Sequence, residues 1–284
     1  MPDKKIKASS LRKVVQISVF ILVALIAVGK WLAEKGTVIP FFSEMSLHGV
    51  CPFGGVVTLN ELFTEGTFIQ KIHSSSVVLM VLGFIVAILF GNIFCGYICP
   101  FGTFQEWLGG LGRKLFPKKY NHMVPEKLDR ALRYLRYGVL GLVVVETAAV
   151  GKLVFQSVDP YYALFNFFTG EVALTAFAVL AAVMLLSLII ERPWCRYFCP
   201  YGALLGLFNT LRIFKLRRNT HTCIGCKQCD RACPMNIKVS ESGIVRDPSC
   251  ISCHKCLSAV TCPVADTVVI ASGKEREEGS SDPA

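Results

Sequence analysis

Charge is scarce in this chain. Only 18% of its 284 residues are Asp, Glu, Lys or Arg, with 20 acidic residues against 30 basic ones. Soluble domains carry about a quarter charged residues, so an ordinary soluble globular fold is excluded. Histidine is scarcer still. The five copies, His48, His73, His122, His221 and His254, all fall in connecting segments, and none lies in a long apolar run. A haem held by two histidines inside a helical bundle is therefore not expected. Basic residues are also missing locally: the stretch 156–171 has none and 34–75 has only Lys35 and Lys71.

Apolar sequence fills the gap. The chain is 53% hydrophobic, with mean hydropathy +0.51. The excess is blocky, in runs at 14–33, 76–94, 137–156 and 172–190, each about long enough to cross a ~30 Å hydrocarbon core as a helix. The first run has a basic leader, but it is long for a signal peptide and Ala27-Val28-Gly29 is a poor cleavage site. It therefore reads as a span, and four spans are expected. Basic residues then set the sides. Lys4, Lys5, Lys7, Arg12 and Lys13 precede the first span, eight Lys and Arg lie between the second and third, and thirteen follow the fourth. The N-terminus, central loop and C-terminus are thus expected on the cytoplasmic face of a bacterial inner membrane. The net charge of +10 needs only an anionic leaflet as its partner, and no nucleic acid.

The chain repeats itself at an offset of 100 residues. Cys95-Gly-Tyr-Ile-Cys99-Pro100-Phe-Gly recurs as Cys195-Arg-Tyr-Phe-Cys199-Pro200-Tyr-Gly, each at the cytoplasmic end of an apolar run. The outer connections share a weaker likeness, Cys51-Pro52-Phe53 against Asp159-Pro160-Tyr161. The expected fold is an all-α membrane bundle of four transmembrane helices, made of two parallel two-helix repeats, with a small α+β ferredoxin-like module at the C-terminus. The expected parts are a basic N-terminus at 1–13, the bundle at 14–218, the module at 219–273 and a disordered tail at 274–284. Short amphipathic runs, Phe104 to Phe116 and Leu204 to Phe214, follow the two elbows and suit the inner interface or the exits of the spans.

The strongest chemical signal is Cys223-x2-Cys226-x2-Cys229-x3-Cys233-Pro234, the spacing of a bacterial ferredoxin run. Cys250-x2-Cys253-x2-Cys256 follows, then Cys262-Pro263 after five residues rather than three. The crossed pattern assigns Cys223, Cys226, Cys229 and Cys262 to one [4Fe-4S] cluster, and Cys250, Cys253, Cys256 and Cys233 to another. Zinc also accepts four thiolates, but zinc ribbons use two separated Cys-x2-Cys knuckles. Ile237, Ile244, Val245, Val268, Val269 and Ile270 are expected to form short strands, and cluster ligation to stabilise so small a core.

The elbow cysteines leave three readings open. If the spans continue as helices, each pair Cys95/Cys99 and Cys195/Cys199 shares one face until Pro100 and Pro200 break it. The four could bind a third cluster or a metal on the pseudo-twofold axis, form redox-active pairs, or simply pack as thiols. Cys51 reads as a packing or turn residue. Glu146, an ionisable residue inside the third run, is the first candidate for a catalytic proton acceptor. His48, Glu61, His73 and Asp159 near the outer face follow it.

Taken together, the two Cys-x3-Cys-Pro elbows and the two cysteine runs resemble ferredoxin-type membrane proteins of the NapH, MauN and NosR group. The NapH-like form is the most similar, since no large outer flavin domain precedes the spans here. The resemblance implies a quinol dehydrogenase component passing electrons between the quinone pool and a soluble ferredoxin-like or cytochrome partner of an anaerobic or periplasmic reductase pathway. It equally admits a redox-active assembly or regulatory factor that reduces a metal or matures another enzyme. A thiol-disulfide carrier working through the elbows is a third reading.

Overall fold

The structure, a computed structural model, describes residues 2–35, 74–117, 120–150, 154–167, 172–264 and 266–272. Cys51, His48, Glu61 and His73 lie outside the described residues. Helix α1 (Pro2–Glu34) contains Ser10–Gly29, with hydropathy 2.2, and is the one helix among the described residues long and apolar enough to cross a membrane. Helix α2 (Ser74–Phe90) is followed by a five-residue π-helical turn (Phe94–Ile98) and helix α3 (Pro100–Leu115). Helices α4 (Glu126–Val150), α5 (Pro160–Phe165), α6 (Leu174–Ser187), α7 (Pro193–Tyr197) and α8 (Pro200–Asn209) follow.

The second and fourth apolar runs end as helices earlier than their hydropathy suggests. Gly91, at φ +78°, closes α2, where a Cβ would collide with the Asn209 side chain and come within 2.7 Å of Ser252 Oγ. Helix α6 stops at Ser187, and Arg192 at φ +55° caps the next short helix. The elbows are thus separate turns rather than the ends of long helices, so the expected i, i+4 face does not form. Pro100 and Pro200 begin helices, each at the first turn behind a capping cysteine, where a missing N–H costs nothing.

The repeat survives folding as a reciprocal packing pattern. Each post-elbow helix packs on the pre-elbow helix of the other copy, α3 on α6 and α8 on α2. Each also packs on the first helix of its own copy, α3 on α1 and α8 on α4. Outward faces stay apolar. Trp107, Leu111 and Leu115 on α3 are exposed, and Leu207 and Leu211, on and just past α8, are exposed at the same offset of 100.

The C-terminal module is built on a three-stranded antiparallel sheet of order β2-β1-β3, with β1 Phe214–Arg218, β2 Ile244–Val245 and β3 Val268–Ser272. Leu216 of β1 pairs with Val245 on one side and Ile270 on the other. The central strand therefore lies upstream of residue 219, and Phe214 belongs to it rather than to an interfacial helix. Its sequence, Phe-Lys-Leu-Arg-Arg, reads as juxtamembrane charge, yet alternation leaves Leu216 buried in the module core with Met235, Val245 and Val268. Ile237 is in that core without being in a strand.

Candidate metal centres

Two partly open cavities lie against the sheet. Cys223, Cys226, Cys229 and Cys262 line the first, with Arg218 and Lys227. Cys233, Cys250, Cys253 and Cys256 line the second, with His254 and Lys255. Each cavity thus draws three cysteines from one run and the last from the other. The backbone makes the two loops alike. Gly225 and Ser252 precede the second cysteine of each run in left-handed conformation, and Lys227 and His254 follow it in the same conformation. Alternation of this kind turns successive N–H groups inward as an anion-binding nest. The longer spacing before Cys262 is taken up by a tight turn, with the Thr261 and Cys262 N–H groups both donating to the Ser258 carbonyl and Val260 pushed outward.

The donor set suits a polynuclear anionic group. Cys233 is pushed up to about 12 by burial and by its neighbours Cys253 and Cys250. Cys256 is raised well above its ordinary value for the same reasons. Such crowded thiols ionise together when a bound metal offsets their charge. Among the described residues no group of three or more His, Cys, Asp or Glu is close enough together to hold a single metal ion. The two cavities differ in depth. At the first, Cys223 is partly exposed, and the Gly225 N–H and the Arg218 guanidinium hold its thiol below the ordinary value. Ile224, next to it in the chain and lining the same cavity, is 65% exposed. The second cavity faces the helices.

That contact is made by the first elbow. A Cβ on Gly96 would collide with the Ile251 carbonyl and lie 3.2 Å from Cys253 Cα. Cys95 packs against the module core, and Tyr97 Oη lies 2.9 Å from His254 Nδ1. The Arg12 Nε and Gln16 Nε2 groups of α1 both donate to the Gly96 carbonyl at 3.1 Å, which fixes the elbow from behind. Around it runs an ion network. Glu106 of α3 accepts from Arg12 at 2.5 Å and Arg192 at 2.8 Å, and pairs with Lys255 at 3.0 Å. Lys255 also reaches Glu191 at 2.6 Å. Behind α8, Asn209 Nδ2 donates to the Cys250 carbonyl at 3.1 Å and Arg212 Nη1 lies 3.6 Å from Cys250 Sγ.

The four elbow cysteines come together. Cys99 caps α3 and accepts from the Gly102 N–H at 3.5 Å, while Cys199 caps α8 and accepts from the Gly202 N–H at 3.3 Å. Gln105 Nε2 donates to Cys195 Sγ at 3.5 Å. Burial pushes Cys195 up to about 12, with Cys99 adding to the rise, and Cys95 and Cys199 are raised by burial and by the other elbow thiols. Of the carboxylates, Asp159 caps α5 by accepting from the Tyr161 N–H at 3.0 Å. Burial raises its carboxyl to about 6, and its charge reaches Cys99, so it lies beside the elbows and not at the outer face where the apolar runs place it. Glu146 sits on α4 about 15 Å along the axis from Arg136, the residue of that helix whose charge reaches Cys95. Arg192, Glu106, Gln105 and Lys255 escape sequence reasoning because their partners are distant in the chain. Their one local signal is a buried cation beside a cysteine motif, with Arg192 three residues before Cys195 and Lys255 inside the second run.

Comparison with known proteins places these motifs. The family described as 4Fe-4S binding domain matches twice, over residues 72–119 and 172–219, which spans each elbow at the same offset of 100 and stops short of Cys223. The putative electron transport protein YccM of Escherichia coli K12 is 32% identical over 78% of this chain, which covers 62% of YccM. Protein MJ0750 of Methanocaldococcus jannaschii is 34% identical over 77% of this chain and 86% of its own length. The ferredoxin-type protein NapH of Haemophilus influenzae is 29% identical over 60% of each. No solved structure matches.

Proposed function

Since this chain belongs to the NapH/NosR-type ferredoxin-like proteins and is an iron–sulfur electron-transfer protein, we propose that it oxidises quinol in a bacterial inner membrane and passes the electrons to a soluble redox partner. In this reading four membrane-embedded segments carry the apolar outer faces of α1, α2, α4 and α6, and the module faces the cytoplasm. The exposed apolar stripes on α3 and α8 support it, because contiguous apolar surface of that kind is rare in a soluble monomer.

Cys223, Cys226, Cys229 and Cys262 hold one [4Fe-4S] cluster, and Cys233, Cys250, Cys253 and Cys256 hold a second. Bound there, each cluster takes up and gives off one electron at a time. The observation that carries the reading is the seat of Gly96 against Ile251 and Cys253, which joins the helices to the inner cavity by direct backbone contact. The outer cavity, with partly exposed Cys223, exposed Ile224 and the cations Arg218 and Lys227, is the exit toward an acidic partner with an apolar centre. Quinol oxidation also releases protons, and Asp159, partly buried and within electrostatic reach of Cys99, is better situated to accept one than Glu146.

The test is direct reduction. Anaerobically purified full-length protein, oxidised and then mixed with a menaquinol analogue, is expected to bleach in the visible and to develop the EPR signals of reduced four-iron clusters. Clusters that respond to dithionite but never to quinol would overturn the reading and favour a maturation role.

A further inference from the structure

We propose that Arg212 is the counter-charge of the inner cluster, held by the ends of α2 and α8 against Cys250 so that it raises that cluster's reduction potential. The proposal rests on the reading of Cys233, Cys250, Cys253 and Cys256 as cluster ligands, and not on quinol as the reductant.

Arg212 stands between α8 and β1 and is 2% exposed. Its guanidinium spreads over the inner cysteine loop. Nη1 lies 3.6 Å from Cys250 Sγ and 3.3 Å from Ser252 Oγ, and Nη2 donates to the Val245 carbonyl of β2. Asn209, the last residue of α8, backs the same contact, with Oδ1 3.5 Å from Nη1 and Nδ2 donating to the Cys250 carbonyl at 3.1 Å. Helix α2 fixes the other side. The Ile213 N–H donates to the Ile88 carbonyl at 3.0 Å, and a Cβ on Gly91 would stand 3.1 Å from Arg212 Cδ. The left-handed glycine that closes α2 thus leaves room for the arginine stem.

Each of these partners is a neutral oxygen or a cysteine sulfur. Among the described residues no carboxylate pairs with Arg212, and its buried Nε–H meets no acceptor. Arg192 and Arg196, as deeply buried, pair with Glu106 and Asp129. A buried guanidinium without an anion is costly, so its anion is expected in the cavity that Cys250 lines. A four-iron cluster on four thiolates is such an anion, and one-electron reduction adds one more negative charge with no bond made or broken. A fixed cation in a water-poor setting therefore favours the reduced form. Arginine suits the place better than lysine because its fork reaches Cys250 and Val245 at once. At the outer cavity Arg218 is only half-buried, where water weakens its charge. A purely structural strut would need the fork of Arg212 but not its charge.

Redox titration with dithionite and mediators, followed by EPR, separates the two roles in anaerobically purified full-length protein. Arg212→Gln is expected to lower the midpoint of one cluster by at least about 59 mV, a tenfold change in a one-electron equilibrium, and to leave the other in place. Arg212→Lys keeps the charge, gives up the fork and is expected to recover most of that difference. Arg218→Gln is expected not to move the cluster that Arg212→Gln moves. Midpoints that stay, that shift together, or that fall as far with Lys as with Gln overturn the proposal. If Arg212→Gln does not hold iron, pulsed EPR on dithionite-reduced Arg218→Gln protein labelled with 15N-arginine decides. An arginine nitrogen coupled to one cluster upholds the proposal, and none overturns it. Protein with fewer than two clusters overturns the reading of the module and this proposal with it, whereas two clusters with unmoved midpoints overturn the proposal alone.

Discussion

Glu106 is where four segments meet. Arg12 from α1, Arg192 ahead of α7 and Lys255 from the second cysteine run all reach its carboxylate. Burial alone would raise its pKa, but the three cations outweigh burial and hold it well below the ordinary carboxylate range. A depressed acid contributes stability that is fully present above its unfolded value, near 4.3, and is lost as pH falls through the folded one. Glu106→Gln should therefore cost about 3–5 kcal/mol at pH 7, because it leaves buried cations short of a partner. Thermal melting of the iron-loaded protein checks this, and a change below about 1 kcal/mol would place the network among weak surface pairs. None of this was legible in the sequence. The eight module cysteines announce themselves because cluster ligation fixes their spacing, whereas Glu106 and Arg192 are 86 positions apart and only the fold makes them neighbours.

Among the elements, β1 and α5 carry the clearest consequences. β1 is the central strand, and Leu216, 3% exposed, packs with residues bearing both cysteine runs. Leu216→Ala should cost about 2–4 kcal/mol and lower the temperature at which cluster colour is lost, while far-ultraviolet helix signal persists. Equal loss of both signals would mean that the module does not melt by itself. Helix α5 begins at Asp159, whose carboxyl burial raises to about 6. A raised acid binds its proton more tightly folded than unfolded, so stability falls as pH climbs from about 4 to 6 and stays lower above. Asp159→Asn keeps a capping oxygen but cannot ionise. It should stabilise the protein by about 1–3 kcal/mol at pH 7 and by nothing at pH 4, and should slow quinol oxidation. Melting curves across that range, with a quinol assay beside them, test both. Apolar runs announced these helices, but their ends did not follow hydropathy. Gly91 and Arg192, in left-handed conformation, stop the chain where the module and the other elbow need room.

For the whole molecule, the question is whether helices and module form one electrical path or two bodies that happen to touch. The duplication was plain from the repeated Cys-x3-Cys-Pro motif, but its outcome was not: sequence shows two equivalent elbows, and the fold uses them differently. Cys95-Gly96-Tyr97 presses on the inner cysteine loop, while the matching Cys195-Arg196-Tyr197 turns into an ion pair and hydrogen bond with Asp129 of α4. The second copy has Arg196 where the first has Gly96, and an arginine at 96 would meet the Ile251 carbonyl. The asymmetry follows from that one residue. Gly96→Val should therefore push the inner loop away from the elbow, at an overpacking cost of about 1–3 kcal/mol, without removing any thiol. The variant is expected to keep its iron and its dithionite-reducible EPR signals. Its clusters should be reduced by quinol far more slowly than those of the unaltered protein, in stopped-flow measurements at equal quinol. An unchanged rate in a variant with full iron would show that electrons enter the module by another route, and the contact at Gly96 would then be a structural seam only.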